Sequence, residues 1–129
     1  MDQGTLVKDS LMLLDLLHQK KMSIDAAALT FSEERGWRLT LAPEVFPGRR
    51  ELYTQLVELL EPADCFQALA LSDIDLIEPD SRAADDLRRM RVDRVKSFES
   101  VKLGRDFYRE VVIFPRRDVQ NRQPLGVPG

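Results

Sequence analysis

Residues 24–42 constrain the fold more than any other stretch of this chain. Two runs, "IDAAALTFS" and "WRLTLA", are separated by "EERG". In the second run Trp37, Leu39 and Leu41 alternate with Arg38 and Thr40, which is the period of a half-buried strand. In the first, Ala27, Leu29 and Phe31 share one face, while Ala26, Ala28 and Thr30 share the other. The pattern predicts a β-hairpin. The small residues on its second face leave room for a helix, or a ligand, to come close to the sheet, and a helix is the expectation.

The remaining segments fit around that hairpin. Residues 5–21 repeat apolar side chains at helical spacing, with Leu6, Leu13 and Leu17 joined by Val7, Leu11 and Leu14, and with Met12 and Leu16 widening the stripe. "PEVFPG", Pro43 to Gly48, is a loop. "RRELYTQLVELLEP" follows as a helix with Leu52, Tyr53, Leu56, Val57 and Leu60 on one side, stopped by Pro62. Residues 66–78 read as mostly extended, with a helix over Phe66–Leu71 left open. A helix over residues 82–98 is capped by Asp80 or Ser81. "ESVKL" and "DFYREVVIF" flank Gly104-Arg105, where a glycine at the first turn position suits a type II′ hairpin.

The expected order is therefore α-ββ-α-β-α-ββ. It predicts an α+β fold, a single layer of mostly antiparallel sheet with helices packed on one face and room for one parallel pairing. Residues 1–117 are expected to form one domain. Residues 118–129, rich in proline and poor in apolar side chains, are expected to be a mobile tail, or to be ordered only against a partner.

Of the 129 residues, 43% are hydrophobic and 32% charged, which excludes a disordered chain. No apolar run reaches the length of a bilayer span and no signal peptide is visible, so a cytoplasmic protein without a membrane partner is expected. The single cysteine, Cys65, cannot form an intramolecular disulfide and fits a reducing compartment. Charge is unevenly spread. Residues 1–80 hold 7 Lys/Arg against 15 Asp/Glu, and residues 81–129 hold 12 against 7. A basic half can meet an anionic partner or the acidic half of its own fold.

Chemistry could reside in "LSDIDLIEPD", Leu71 to Asp80. On a strand, Asp73 and Asp75 would project to the same side, where two carboxylates could hold Mg²⁺ together with water and phosphate oxygens. "SDIDLI" resembles the strand motif of small nucleotidyltransferases, and the resemblance implies Asp73 and Asp75 as metal ligands. The Gly-Ser step which that family carries upstream is missing from "LLEPADCFQALAL", and the third carboxylate could only be Asp106 or Glu110. The plain alternative is that both aspartates line the solvent side of a strand whose Ile74 and Leu76 reach the core.

Arg116, Arg117 and Arg122 are the candidate nucleic-acid or anion contacts in the basic half. The arginines of residues 82–96 are interleaved with Asp85, Asp86 and Asp93 at helical spacing, so they read as a self-neutralised face. His18 and Cys65 lack any supporting motif for nucleophilic chemistry. The whole array of elements, with "WRLTLAPE", "LSDIDLIEPD" and "REVVIFPRR", resembles small bacterial α+β proteins of no assigned activity; that resemblance implies no site residue. The expectation is a non-catalytic interaction or oligomerisation domain, without a cofactor, that self-associates or binds a protein partner. A metal-dependent nucleotidyl- or phosphotransferase and a nucleic-acid-binding module are the alternatives.

Overall fold

The computed structural model describes residues 3–60 and 68–116. In chain order the elements are α1 (Gln3–Gln19), β1 (Ile24–Ser32), β2 (Gly36–Pro43), α2 (Arg49–Leu60), β3 (Ile74–Leu76), α3 (Arg82–Arg89), β4 (Lys96–Leu103) and β5 (Asp106–Ile113). The five strands form one sheet in the order β3-β2-β1-β5-β4. β2 and β3 are parallel, joined by the crossover through α2, and every other neighbour pair is antiparallel. This is the α+β architecture that the alternation predicts.

The central hairpin turns through Glu33, Glu34 and Arg35, with Ser32 opposite Gly36. Gly36 has φ 70°, the left-handed residue that a three-residue hairpin loop needs. Phe31 and Trp37 face each other across the strands with ring centroids 5.2 Å apart. The two sides of β1 then serve two cores. Ala27 and Leu29, with Leu39, Leu41, Ile74, Leu76 and Val112, pack against Leu6, Leu13, Leu14 and Leu17 of α1 and Leu52 and Leu56 of α2. Ala28, Val111 and Ile113 pack with Leu87 of α3 and Leu103 of β4.

The helices therefore cover both faces of the sheet, not one. The reason lies in Ala26 and Ala28: a strand face without bulk has to be filled by something close, and α3 fills it through Ala83, Leu87 and Met90. The stripe of α1 is also accounted for. Its four central leucines are buried, and Val7 and Leu11 pack against the same cluster. A fully buried leucine contributes about 1.5–3 kcal/mol, so this face belongs to the core and not to a partner.

Two further expectations are corrected. The helix expected over residues 82–98 stops at Arg89, and Lys96 already pairs with Ile113, Ser97 with Val112 and Phe98 with Val111. Sheet pairing that covers Val111 outweighs helical charge pairs worth about 0.2–0.5 kcal/mol each. The stretch expected to be extended over residues 66–78 is a strand only from Ile74 to Leu76, preceded by a 3-10 turn over Leu71–Asp73. Here Asp73 accepts the N–H of Ala70 at 3.0 Å, a local bond that competes with a strand ladder. Cys65, Arg117, Arg122 and the expected tail 118–129 lie outside the described residues.

The second hairpin turns at Gly104-Arg105 as predicted, with φ 65° at Gly104. The Gly104 N–H donates to Asp86 Oδ2 at 2.8 Å, so the tip is tied to α3. Ser100, φ 56°, sits between Phe98 and Val101. Residues three apart on a regular strand face opposite ways, yet both of these pack toward α3. The left-handed residue shifts the pleat and lets the hairpin curl over that helix.

Candidate functional site

The aspartate pair does not form the expected dyad. Asp73 belongs to the 3-10 turn and only Asp75 lies on β3. Asp75 is held by two guanidinium groups. Arg38 on β2 donates from Nε at 2.8 Å and from Nη2 at 2.8 Å, and Arg35 in the hairpin loop donates from Nη2 at 3.2 Å. The parallel register, with Asp75 level with Thr40, brings Asp75 beside Arg38 on the adjacent strand. Burial pushes the Asp75 carboxyl up, but the bonds from Arg38 and then Arg35 outweigh it and hold the group below the usual carboxylate range. Its two oxygens are engaged, which disfavours a metal at this position. Among the described residues, no group of three or more His, Cys, Asp and Glu could hold a metal ion.

Arg116 is likewise occupied. It bonds Glu44 in the β2–α2 loop, and its Nη1 lies 3.4 Å from Asp25 Oδ1. Arg88 of α3 meets the same Asp25 at 2.6 Å. A guanidinium shared between two carboxylates is a poor phosphate ligand. The basic half of the chain thus meets the acidic half inside one fold. His18 lies in the last turn of α1, where it borders a small cavity with Pro115 and Arg116.

The sheet edges offer little. At β3, the side chains of Arg49 and Tyr53 from α2 donate to the carbonyls of Leu76 at 3.2 Å and Ile74 at 2.7 Å. At β4, the outer edge is broken by left-handed Ser100 and carries Lys96 and Lys102, devices that discourage strand addition.

What remains is a groove of about 600 Å³ between the end of α1, the β2–α2 loop and α2. Lys20, Lys21, Met22 and Ser23 form one side; Glu44, Val45 and Pro47 come from the loop; Leu52, Gln55 and Glu58 come from α2. Each wall is fixed by local chemistry. α1 ends in a Schellman motif: Met22 N donates to Leu17 O at 2.9 Å and Lys21 N to His18 O at 3.0 Å. Lys21 takes the left-handed position with φ 62°, and Met22 packs against the core cluster that includes Leu17. Glu44 N donates to Ser23 O at 3.0 Å, which ties the loop to the α1–β1 connection. Phe46 turns toward the core, whereas Val45 is 74% exposed.

Sequence reasoning missed this groove, because "PEVFPG" announces a loop without saying what it faces. It also missed Asp9, which is 1% exposed in the middle of α1 and accepts the N–H of Ala68 at 2.6 Å. That signal was readable: Asp9 falls on the helix face of Leu6 and Leu13. Compared with known proteins, the chain matches no family model, no curated protein and no solved structure. Among the described residues, no helix is long and apolar enough to cross a membrane.

Proposed function

We propose that this protein is a non-catalytic interaction domain, and that the groove beside α2 receives an extended segment of a partner protein. The observation that carries this reading is Val45. It is a large apolar side chain, 74% exposed, at the mouth of a cavity of about 600 Å³ that Met22 and Leu52 also line. That volume is within the range of ligand sites, roughly 300–1,000 Å³, and accommodates a few side chains of a peptide. The loop that presents Val45 is stiffened by Pro43 and Pro47, so little ordering entropy opposes binding. The reading rests on the groove alone, since the α1 stripe is in the core and both sheet edges are guarded. The lone Cys65 supports a reducing, cytoplasmic setting.

Selection of peptides from a displayed random library, run in parallel on the wild type and on Val45→Glu, tests this. The expected result is a family of peptides whose affinity falls at least tenfold on Val45→Glu while the circular dichroism spectrum is unchanged. A selection that yields no peptide, or peptides indifferent to the substitution, rejects the groove as a docking surface.

A further inference from the structure

We infer that the groove prefers a peptide of dipolar character: an apolar centre with acidic residues toward one end and basic residues toward the other. This rests on the interaction reading above and names the chemistry of the partner. The argument starts from how charge is distributed around the groove. The cations come from one element, Lys20 and Lys21 at the end of α1. The carboxylates come from the others, Glu44 in the loop and Glu58 on α2. Lys20, Lys21 and Glu58 are exposed or nearly so, and make no ion pair with a described residue. Glu44 already spends its charge on Arg116.

Three free charges of two signs thus border an apolar floor. A peptide of one sign gains from one part of the rim and is repelled by another. A peptide whose sign changes along its length meets attraction at both. Rim charges of this kind set register and partner choice, whereas the buried apolar contacts supply most of the affinity. The same segregation fixes direction, because reversing such a peptide places like charges together.

Four fluorescein-labelled ten-residue peptides, sharing one central Leu-Pro-Val, distinguish the possibilities: two glutamates at one end and two arginines at the other, glutamates at both ends, arginines at both ends, and serines at both ends. Fluorescence polarisation at 50 mM and 500 mM salt is expected to show one orientation of the dipolar peptide binding five- to tenfold more tightly than either single-sign peptide. The advantage should disappear at high salt, where the screening length is a few ångströms. Glu58→Lys should transfer the preference to the doubly acidic peptide, with an unchanged circular dichroism spectrum as the folding control. Equal binding of all four peptides, each weakened by Val45→Glu, would overturn the dipolar preference and leave the groove reading standing. A single-sign peptide that binds best to the wild type also overturns it. Absence of binding by all four, together with failure of the library selection, overturns both.

Discussion

The carboxylate of Asp9, in the middle of α1, accepts the backbone N–H of Leu69 at 3.0 Å, sixty residues along the chain. The same oxygen accepts the N–H of Ala68. An acidic side chain placed on the apolar face of a helix therefore pins the strand-side segment that leads into the 3-10 turn and β3. Leaving two buried donors unpaired costs about 1–3 kcal/mol each. Asp9→Ala is expected to lower the unfolding free energy by about 2–4 kcal/mol in urea titration, and to accelerate hydrogen exchange at Ala68 and Leu69 before any other site. A loss below about 0.5 kcal/mol would show that water replaces the carboxylate at no cost.

The face of β1 that α3 covers is sterically tight. Ala28 and Ala84 are each 0% exposed. Ala28→Leu adds three carbons where the interior is already filled, which typically costs about 1–3 kcal/mol. It should displace α3 and so break the Arg88–Asp25 pair, which spans 2.6 Å. Ala27→Leu, on the α1 side of the same strand, is the companion variant. Thermal unfolding should fall for both, but only Ala28→Leu should shift the amide resonances of α3.

How far the fold could be read before it was seen depended on whether a segment's structure is decided locally. The strand "IDAAALTFS" was legible to its ends, since alternation and the glycine of the turn are both in the sequence. The small face formed by Ala26 and Ala28 announced a close helix; assigning that helix to α3 required the crossover geometry. Residues 90–98 were not legible. Arg89 and Asp93 have helical spacing, and only the long-range register of Phe98 opposite Val111 turns the segment into a strand. The candidate site was least legible of all, because a groove is a relation among three elements. Lys21, Val45 and Glu58 carry no mutual spacing that a sequence pattern could reveal.

Lys21 occupies a position that favours glycine. Its φ of 62° ends α1 in a Schellman motif, and a side chain there costs about 1–2 kcal/mol of steric strain. Lys21→Gly is expected to stabilise the protein by up to about 1 kcal/mol, a gain partly offset by the greater freedom of the unfolded glycine. Gly104→Ala is the opposite case. It adds a methyl at φ 65° only 3.3 Å from the Ala83 Cβ, and should destabilise by about 1–3 kcal/mol. Equal effects of the two substitutions in chemical denaturation would contradict the assigned backbone conformations.

The Arg35–Asp75–Arg38 cluster predicts an acid-sensitive contribution to stability. The folded-state pKa of Asp75 is lowered, since the arginine bonds outweigh desolvation. The unfolded chain therefore binds a proton at Asp75 more readily than the folded one does. By linkage the contribution is fully present above the unfolded carboxylate pKa, about 3.9, and is lost as pH falls from there through the folded value. Asp75→Asn removes the charge that two guanidinium groups share, at a site whose Asp75 side chain is 27% exposed. A cost of about 1.5 kcal/mol at pH 7 is expected for charge-assisted bonds of this kind. The gap between wild type and Asp75→Asn should narrow steadily below pH 4. Arg38→Gln should show the same pH dependence at smaller amplitude, because Arg35 still reaches Asp75 at 3.2 Å. A gap that stays constant down to pH 2.5 would assign the loss to packing and not to the ion pair.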